Sequence, residues 1–375
     1  MIKNYKIKSL KAREILDSRG IPTLEAILNT NLGTFRASIP SGTSKGKYEA
    51  TAKLAKIAIN NINKIIAPKL KGRELIYQKK IDEFLVKLDG TKNKSKLGAN
   101  AILAVSIAVC RAGAAAKNLP LWRWISRLSG TRFSIPIPCF LFMEGGLHGG
   151  GNLDIQEFMI VFPGKSFRER FNKAKVAFRN LGKLLPKKYG MEGAFSPNLK
   201  ETEKALDLLM KVGEKNKAKI ILDVAASHFH SKKKPEYYLN LAKDYPILAI
   251  EDPFPQDDWQ NWKKLNSKLL IIGDDLTVTN PNRIKLAHRR RACRGVVIKP
   301  NQIGTVTETI KAAKLAKSFG WKIIVSHRSG ETLDDFIADL AAGIGADFIK
   351  SGAPFPKERM AKYNRLVKIE EETYG

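Results

Sequence analysis

With 375 residues the chain is too long for one small domain, and 43% hydrophobic residues supply a sizeable core, which excludes wholesale disorder. Three cysteines (Cys110, Cys139, Cys293), none in a CxxC pair, exclude a disulfide framework, argue against zinc or thioredoxin-like chemistry, and fit a reducing cytoplasm. The net charge of +30 divides into +17 over residues 1–130 and +13 over 131–375, so it belongs to no basic tail.

The runs Lys232–Lys234 and Arg289–Arg291 could meet RNA or another polyanion. No motif with stacking aromatics accompanies them, so a solvated lysine-rich surface is the preferred reading. Residues 1–10 alternate charged and apolar side chains and carry no apolar leader.

In chain order, three short strands come first, at Lys6–Leu10, Thr23–Asn29 and Thr34–Ile39. The turn residues of Asp17–Gly20 and Asn31–Gly33 separate them and predict an antiparallel meander. A helix follows with Leu54, Ile57, Ala58, Ile62, Ile65 and Ile66 on one face, ending near Pro68 and Gly72. A second helix is expected near Leu75–Leu88. The stretch Leu97–Ala116 is long enough to cross a membrane, but Asn100, Ser106 and Arg111 interrupt it and alanine and glycine dominate it. It reads as a buried helix packed through small residues, not as a membrane span. Asn118–Gly130 reads as the crossing into a second domain. The expected division is an α+β unit over residues 1–125 and a second unit over 130–375.

The second part has another rhythm. Short apolar runs each end on an ionisable residue: Asp223, Glu251, Asp274, Lys299, His327 and Lys350. Successive intervals are 23 to 28 residues, matching a strand, a helix and two short loops at roughly 25 residues per unit. Six such units predict an α/β fold with a closed parallel barrel, whose strand ends face the active site.

Asp223, Glu251 and Asp274 would then converge from neighbouring strands. Oxygen ligands without thiolates suit a hard divalent cation, magnesium above all. The alternative is salt bridging to the lysines of the following strands. Lys299, His327, Arg328 and Lys350 form a cationic arc suited to a substrate carrying carboxylate and phosphate, with Arg328 able to fork onto phosphate oxygens and Ser329 beside it.

These residues sit in long motifs. They include Ala12–Thr23 (AREILDSRGIPT), Ser41–Ser44 (SGTS), Asp154–Ile160 (DIQEFMI), Ile250–Phe254 (IEDPF), Gly273–Asn280 (GDDLTVTN), Ile298–Thr305 (IKPNQIGT) and Ser326–Thr332 (SHRSGET). In this order they resemble the enolase family from end to end. The resemblance implies an N-terminal α+β cap and a C-terminal enolase-type α/β barrel whose first elements depart from strict βα alternation. It implies reversible, magnesium-dependent dehydration of 2-phosphoglycerate to phosphoenolpyruvate in the cytoplasm, by a homo-oligomer (dimer or octamer) with two magnesium ions per site. A cell-surface location is allowed by the resemblance alone.

By the same resemblance, Asp223, Glu251 and Asp274 bind the first magnesium. Lys299 is the base, and Glu192 the acid that protonates the leaving hydroxyl. Lys350 holds the substrate carboxylate, and Arg328 and Ser329 the phosphate. His148, Gln156 and Glu157 line the site with His327, and Ser41 closes over it and helps hold the second magnesium. As a base Lys299 needs a depressed pKa, expected from nearby cations; as an acid Glu192 needs a raised one, expected from Glu157 and the substrate phosphate.

Several positions depart from the family pattern. Met191 stands for Asp, Ala194 for Gly, Glu144 for Asn and His228 for Glu, and Gly149–Gly151 should loosen the loop behind His148. The segments after Ala50 and His230 look trimmed. Two rival readings follow: a related acid-sugar dehydratase, which would share the carboxylates but not the phosphate site, and a degenerate enolase acting as a basic RNA- or polyanion-binding protein. Of the histidines, His288 and His230 read as solvated.

Overall fold

The structure, a computed structural model, describes residues 5–43, 46–150, 153–228 and 233–374. The expectations for Ser44, Gly151, His230 and Lys232 lie outside these residues.

Strands β1 (Ile7–Leu16), β2 (Pro22–Thr30) and β3 (Gly33–Ser38) form the expected meander, in the order β1-β2-β3. β1 continues to Leu16, past the predicted end at Leu10, and pairs residue for residue with β2 as far as Leu16–Pro22. Charged side chains hide this extension in the sequence, yet they sustain it: Arg13 reaches across to Glu25 at 2.8 Å.

The first helical run comprises Ala55–Asn60, a π-helical Asn61–Ile66 and Ala67–Leu70. It buries Ala58, Ile62, Ile66 and Leu70, whereas Leu54 and Ile57 are exposed, contrary to the expected face. Leu54 stands before the first turn, and the wider π segment turns the buried stripe onto every fourth residue. The second helix is Gln78–Asp89, starting later than predicted because Leu75 donates its backbone N–H to Tyr5.

The alanine-rich helix spans Ala99–Ala116; its length and composition would allow a membrane crossing, but 83% of it is buried inside the protein. Small residues admit close neighbours: a Cβ on Gly113 would stand 3.0 Å from the Trp124 indole nitrogen. Trp124 lies on the helix Leu121–Ser129, which fills most of the stretch read as a crossing.

Beyond it a closed barrel is built from β4 (Ile137–Glu144), β5 (Glu157–Val161), β6 (Lys219–Asp223), β7 (Ile247–Glu251), β8 (Ile271–Gly273), β9 (Gly295–Ile298), β10 (Lys322–Ser326) and β11 (Phe348–Lys350). The last six are the six predicted strands. β5 runs antiparallel to both its neighbours while every other pairing is parallel, and two helices, Phe167–Leu181 and Thr202–Gly213, separate it from β6. The antiparallel strand brings its N-terminal residue to the end where its neighbours finish. Glu144, Glu157, Asp223 and Glu251 therefore pair in one row across four adjacent strands.

The N-terminal unit is joined to the barrel by buried polar contacts. Arg111 of the alanine-rich helix forks onto Asp334 at 2.7 and 2.9 Å. Asp82 accepts from Ser106 and from the Thr307 backbone and hydroxyl, and Ser106 Oγ accepts from Val306 N–H. Breaking a buried pair strands a charge, at a cost of about 3–5 kcal/mol. Arg111→Ala is accordingly expected to lower unfolding free energy by about 3 kcal/mol in a denaturant titration; a loss under about 0.5 kcal/mol, the range of ordinary surface changes, would contradict this.

Candidate active site

At the C-terminal ends of the parallel strands lies a cleft of about 410 Å³, including the open space at its mouth. His148, Gln156, Glu157, Glu192, Asp223, Asp274, Lys299, His327, Arg328 and Ser329 line it. Every predicted site residue is thus on its wall except Glu251 and Lys350, buried at its base, and Ser41, at its rim.

Apolar strand interiors deliver these groups to one end of the barrel, where ionisable strand ends concentrate charge. Lys350 Nζ sits in the acidic row, 3.2 Å from Glu157, 3.0 Å from Asp223 and 2.7 Å from Glu251. Burial opposes the ammonium, but Asp223, Glu157 and Glu251 prevail and hold its pKa well above the usual lysine range. Lys299 Nζ pairs with Asp274 Oδ2, and Gln302 Nε2 donates to Oδ1 at 2.8 Å. Burial works against that carboxylate too, yet Lys299 brings its pKa down to about 2.

The salt bridging named as the alternative occurs: Lys350 pairs with Glu157, Asp223 and Glu251, and Lys299 with Asp274. In this arrangement burial pulls the Lys299 pKa down and Lys350 acts the same way, as expected, but Asp274 outweighs both and holds it up; the expected depression invokes bound magnesium as well.

Glu192 is buried between two imidazoles. His327 Nε2 stands 3.3 Å from one carboxyl oxygen and His148 Nδ1 3.6 Å from the other. Both ring nitrogens of His148, Glu192 Oε2 and Gln156 Oε1 are buried without hydrogen-bond partners among the described residues, in side chains that line the cleft. Burial, more than any neighbour, raises the pKa of Glu192 and lifts that of Glu157 to about 7. Burial likewise lowers His148 to about 4 and His327 well below its ordinary value, with Arg359 adding to the latter. Burial thus favours the neutral form of both imidazoles and raises the pKa of the carboxyl between them.

Arg328 is held by Glu49 at 3.0 Å and by Asn301 at 3.1 Å. Ser329 Oγ accepts from Thr43 N–H at 2.8 Å. Ser41 Oγ donates to Asp17 and accepts from Arg19, both at 2.7 Å, and its backbone pairs with Gly330. The cap segment 41–43 thus covers the Arg328–Gly330 turn, and a Cβ on Gly42 would collide with the Arg328 guanidinium.

Several supporting residues were missed by sequence reasoning. Asp252 accepts from the backbone of Asp274 at 2.9 Å and Asp275 at 2.7 Å, bracing the turn after β8. Asp275 pairs with His228, the residue that stands for the family's Glu, at 2.9 Å. Arg359 donates to the Ser329 carbonyl at 2.7 Å and contacts His327 Nδ1. The second carboxylate in IEDP and GDD was a visible signal for Asp252 and Asp275; Glu49 and Arg359 had none. His288 is exposed, as expected, and stacks on Phe319 with ring centres 3.8 Å apart. Gly149 is not loose: its N–H donates to Gly145 at 2.7 Å, and a Cβ there would strike the Glu144 carbonyl.

The donor set fits a hard divalent cation. Glu157, Glu192, Asp223, Glu251, Asp252, Asp274 and Asp275 are all buried, and the buried strong bases around them among the described residues are Lys299, Lys350, Arg328 and Arg359. This surplus of oxygen acids is what such an ion would offset. Asp252, Asp274 and Asp275 bring oxygens within 4.8 Å of one another, as do His148, Glu157 and Glu192. All three are engaged, Asp252 and Asp275 as braces and Asp274 by Lys299 and Gln302.

Comparison with known proteins agrees with this geometry. Residues 7–125 match the family model described as the enolase N-terminal domain, and residues 132–241 and 232–374 match the enolase C-terminal TIM barrel domain. An enolase of Eimeria tenella is 44% identical over 428 aligned residues, covering 98% of this chain and 96% of that protein. Fold, acidic strand ends and both family matches lead to one conclusion: the chain belongs to the enolase family of hydro-lyases.

Proposed function

We propose that the protein interconverts 2-phosphoglycerate and phosphoenolpyruvate, with residues 1–125 as cap and 130–375 as catalytic barrel, in the cytoplasm and as a homo-oligomer. One observation carries the reading: a lysine on an aspartate and a buried carboxyl between neutral imidazoles line the same cleft, beside an arginine and a serine suited to phosphate.

The hydrogen beside a carboxylate is a poor acid, because its removal places a second negative charge on that group. Magnesium held by Asp223, Glu251 and Asp274, with a second ion near Ser41, would supply Lewis-acid stabilisation of that charge; pairing a lysine base with magnesium is the general pattern of the enolase superfamily. Lys299 takes the proton once its ammonium has given one up. Its partner Asp274 is the control on that event, since engaging the carboxylate elsewhere removes the interaction that holds the ammonium charged. Glu192, whose pKa burial raises, delivers its proton to the departing hydroxyl. Lys350 orients the substrate carboxylate from the base of the cleft, Arg328 and Ser329 hold the phosphate, and His148, Gln156, Glu157 and His327 exclude water around the reacting carbons.

The test is the appearance of phosphoenolpyruvate absorbance from 2-phosphoglycerate. Activity is expected with magnesium and is expected to vanish with a chelator and return on adding the metal back. Turnover of unphosphorylated sugar acids instead would support the acid-sugar dehydratase. Failure on both substrates, with tight RNA binding, would support the basic polyanion-binding alternative. Lys234 and Arg289–Arg291 are exposed, and Lys233 is engaged with Asp154 at 3.3 Å.

A further inference from the structure

We propose that Glu144, at the end of β4, is the positioning residue for the proton donor Glu192, its carboxyl serving as the anchor for the strap 190–194. The inference rests on the assignment of Glu192 as acid in the proposed function.

The strap crosses the cleft wall with no regular secondary structure to satisfy its backbone. Glu144 Oε1 accepts from Ala194 N–H at 2.8 Å, and both its oxygens lie within reach of Glu192 N–H, at 3.2 and 3.1 Å. The same side chain therefore grips the peptide on which Glu192 is mounted and the peptide two residues on. The packing is close: a Cβ on Gly190 would approach the Glu144 carboxyl carbon to 2.6 Å, so the strap lies flat against that group. The strand continues the arrangement, with Glu144 N–H donating to Phe195 at 2.8 Å and Phe195 N–H to Phe142 at 3.1 Å. The strap also closes on itself, with Gly190 N–H donating to the Ala194 carbonyl at 2.9 Å and Gly193 N–H to the Gly190 carbonyl at 3.3 Å; further contacts are Met191 N–H to His148 at 3.3 Å, Ala353 N–H to the Glu192 carbonyl at 3.2 Å and Arg359 to the Met191 carbonyl at 3.5 Å.

Glu144 is 1% exposed, and no cation is within salt-bridge distance of it among the described residues. A buried carboxyl with only peptide N–H partners is costly for stability alone, which makes service to a neighbour the better account of it. Burial first and Glu192 second hold its pKa well above the carboxylate range. It offers no atom to the cleft, so its influence on turnover must pass through Glu192.

The experiment compares Glu144→Ala, Glu144→Asp and Glu144→Gln in the full-length protein with 2-phosphoglycerate and magnesium, alone and combined with Glu192→Gln. Glu144→Ala should lower kcat by about 100-fold, the effect of a displacement near 1 Å at a reacting group, with KM changed by less than about threefold because no substrate contact is lost. Glu144→Gln keeps an oxygen at the position of Oε1 and should restore kcat to within about tenfold of the parent. Glu144→Asp, one methylene short of the strap, should fall between them. In the Glu192→Gln background the alanine change should cost less than about threefold, since residues acting through one group are not additive. Parent-like kcat in Glu144→Ala, or an equal loss in both backgrounds, would overturn the proposal. Should Glu144→Ala not fold, a folded Glu144→Asp with parent-like kcat would do the same. Absence of phosphoenolpyruvate formation by the parent protein would instead strike at the reading of Glu192 itself.

Discussion

Lys299→Ala is expected to reduce kcat by about 10²–10⁴-fold, the usual span for removing a general base. Glu192→Gln should fall in the same range, but for the opposite half of the reaction. The two are separable by exchange of the substrate's carbon-bound hydrogen with solvent deuterium. Glu192→Gln retains Lys299, so exchange should persist while dehydration is lost; Lys299→Ala should lose both. Folding complicates only the lysine change, since Lys299 is also the partner that holds Asp274 near a pKa of about 2. A Lys299→Met variant, which keeps the aliphatic packing, controls for this. Exchange surviving in Lys299→Ala at the parent rate would remove Lys299 from the role of base.

The largest expected effect on stability belongs to Lys350→Met. One ammonium lies against Glu157, Asp223 and Glu251, all buried, and its loss leaves them facing one another. A cost of about 3–5 kcal/mol is expected for orphaning such a cluster, visible as a lower denaturant midpoint. The pH dependence has a defined sign. Lys350 has a folded pKa raised above its unfolded value of about 10.4, so its contribution is complete below that value and fades as pH rises through the raised folded pKa. In the variant the carboxyls must take up protons to remain buried, so its deficit against the parent should shrink as pH falls from about 8 to about 5. Added magnesium should also raise the midpoint of the variant more than that of the parent, because a cation at Asp223 and Glu251 replaces the missing charge. A deficit indifferent to both pH and magnesium would mean that Lys350 is not the counterion of this row.

The six barrel strands from β6 to β11 were legible because each is buried on both faces and ends abruptly on an ionisable group, an uncommon pattern at so regular a spacing. β4 is equally apolar, but the rhythm does not predict it: it is followed by an antiparallel partner and no helix, so the interval that marks a βα unit never occurs. The clustering of Asp223, Glu251, Asp274, Lys299 and Lys350 followed from strand ends alone. Their pairing did not, because strand order gives neighbours without saying which side chain reaches which. Glu49 on Arg328 and Arg359 on His327 join residues 279 and 32 positions apart in the chain, and no local spacing encodes either contact. The departures at Glu144 and Met191 were visible as oddities; only the fold shows that the first grips the backbone beside the second.

The segment 41–43 and the Asp17–Arg19 turn lean on Ser329 and Gly330, while Asp82 and Arg111 are satisfied by groups on the opposite half. The seam between the halves is therefore wired with charge, and splitting it would leave several desolvated groups without counterparts. The two parts are not interchangeable modules. A chimera crossing over near residue 130 must carry both sides of each of these bonds, or it inherits a barrel whose mouth lacks its lip.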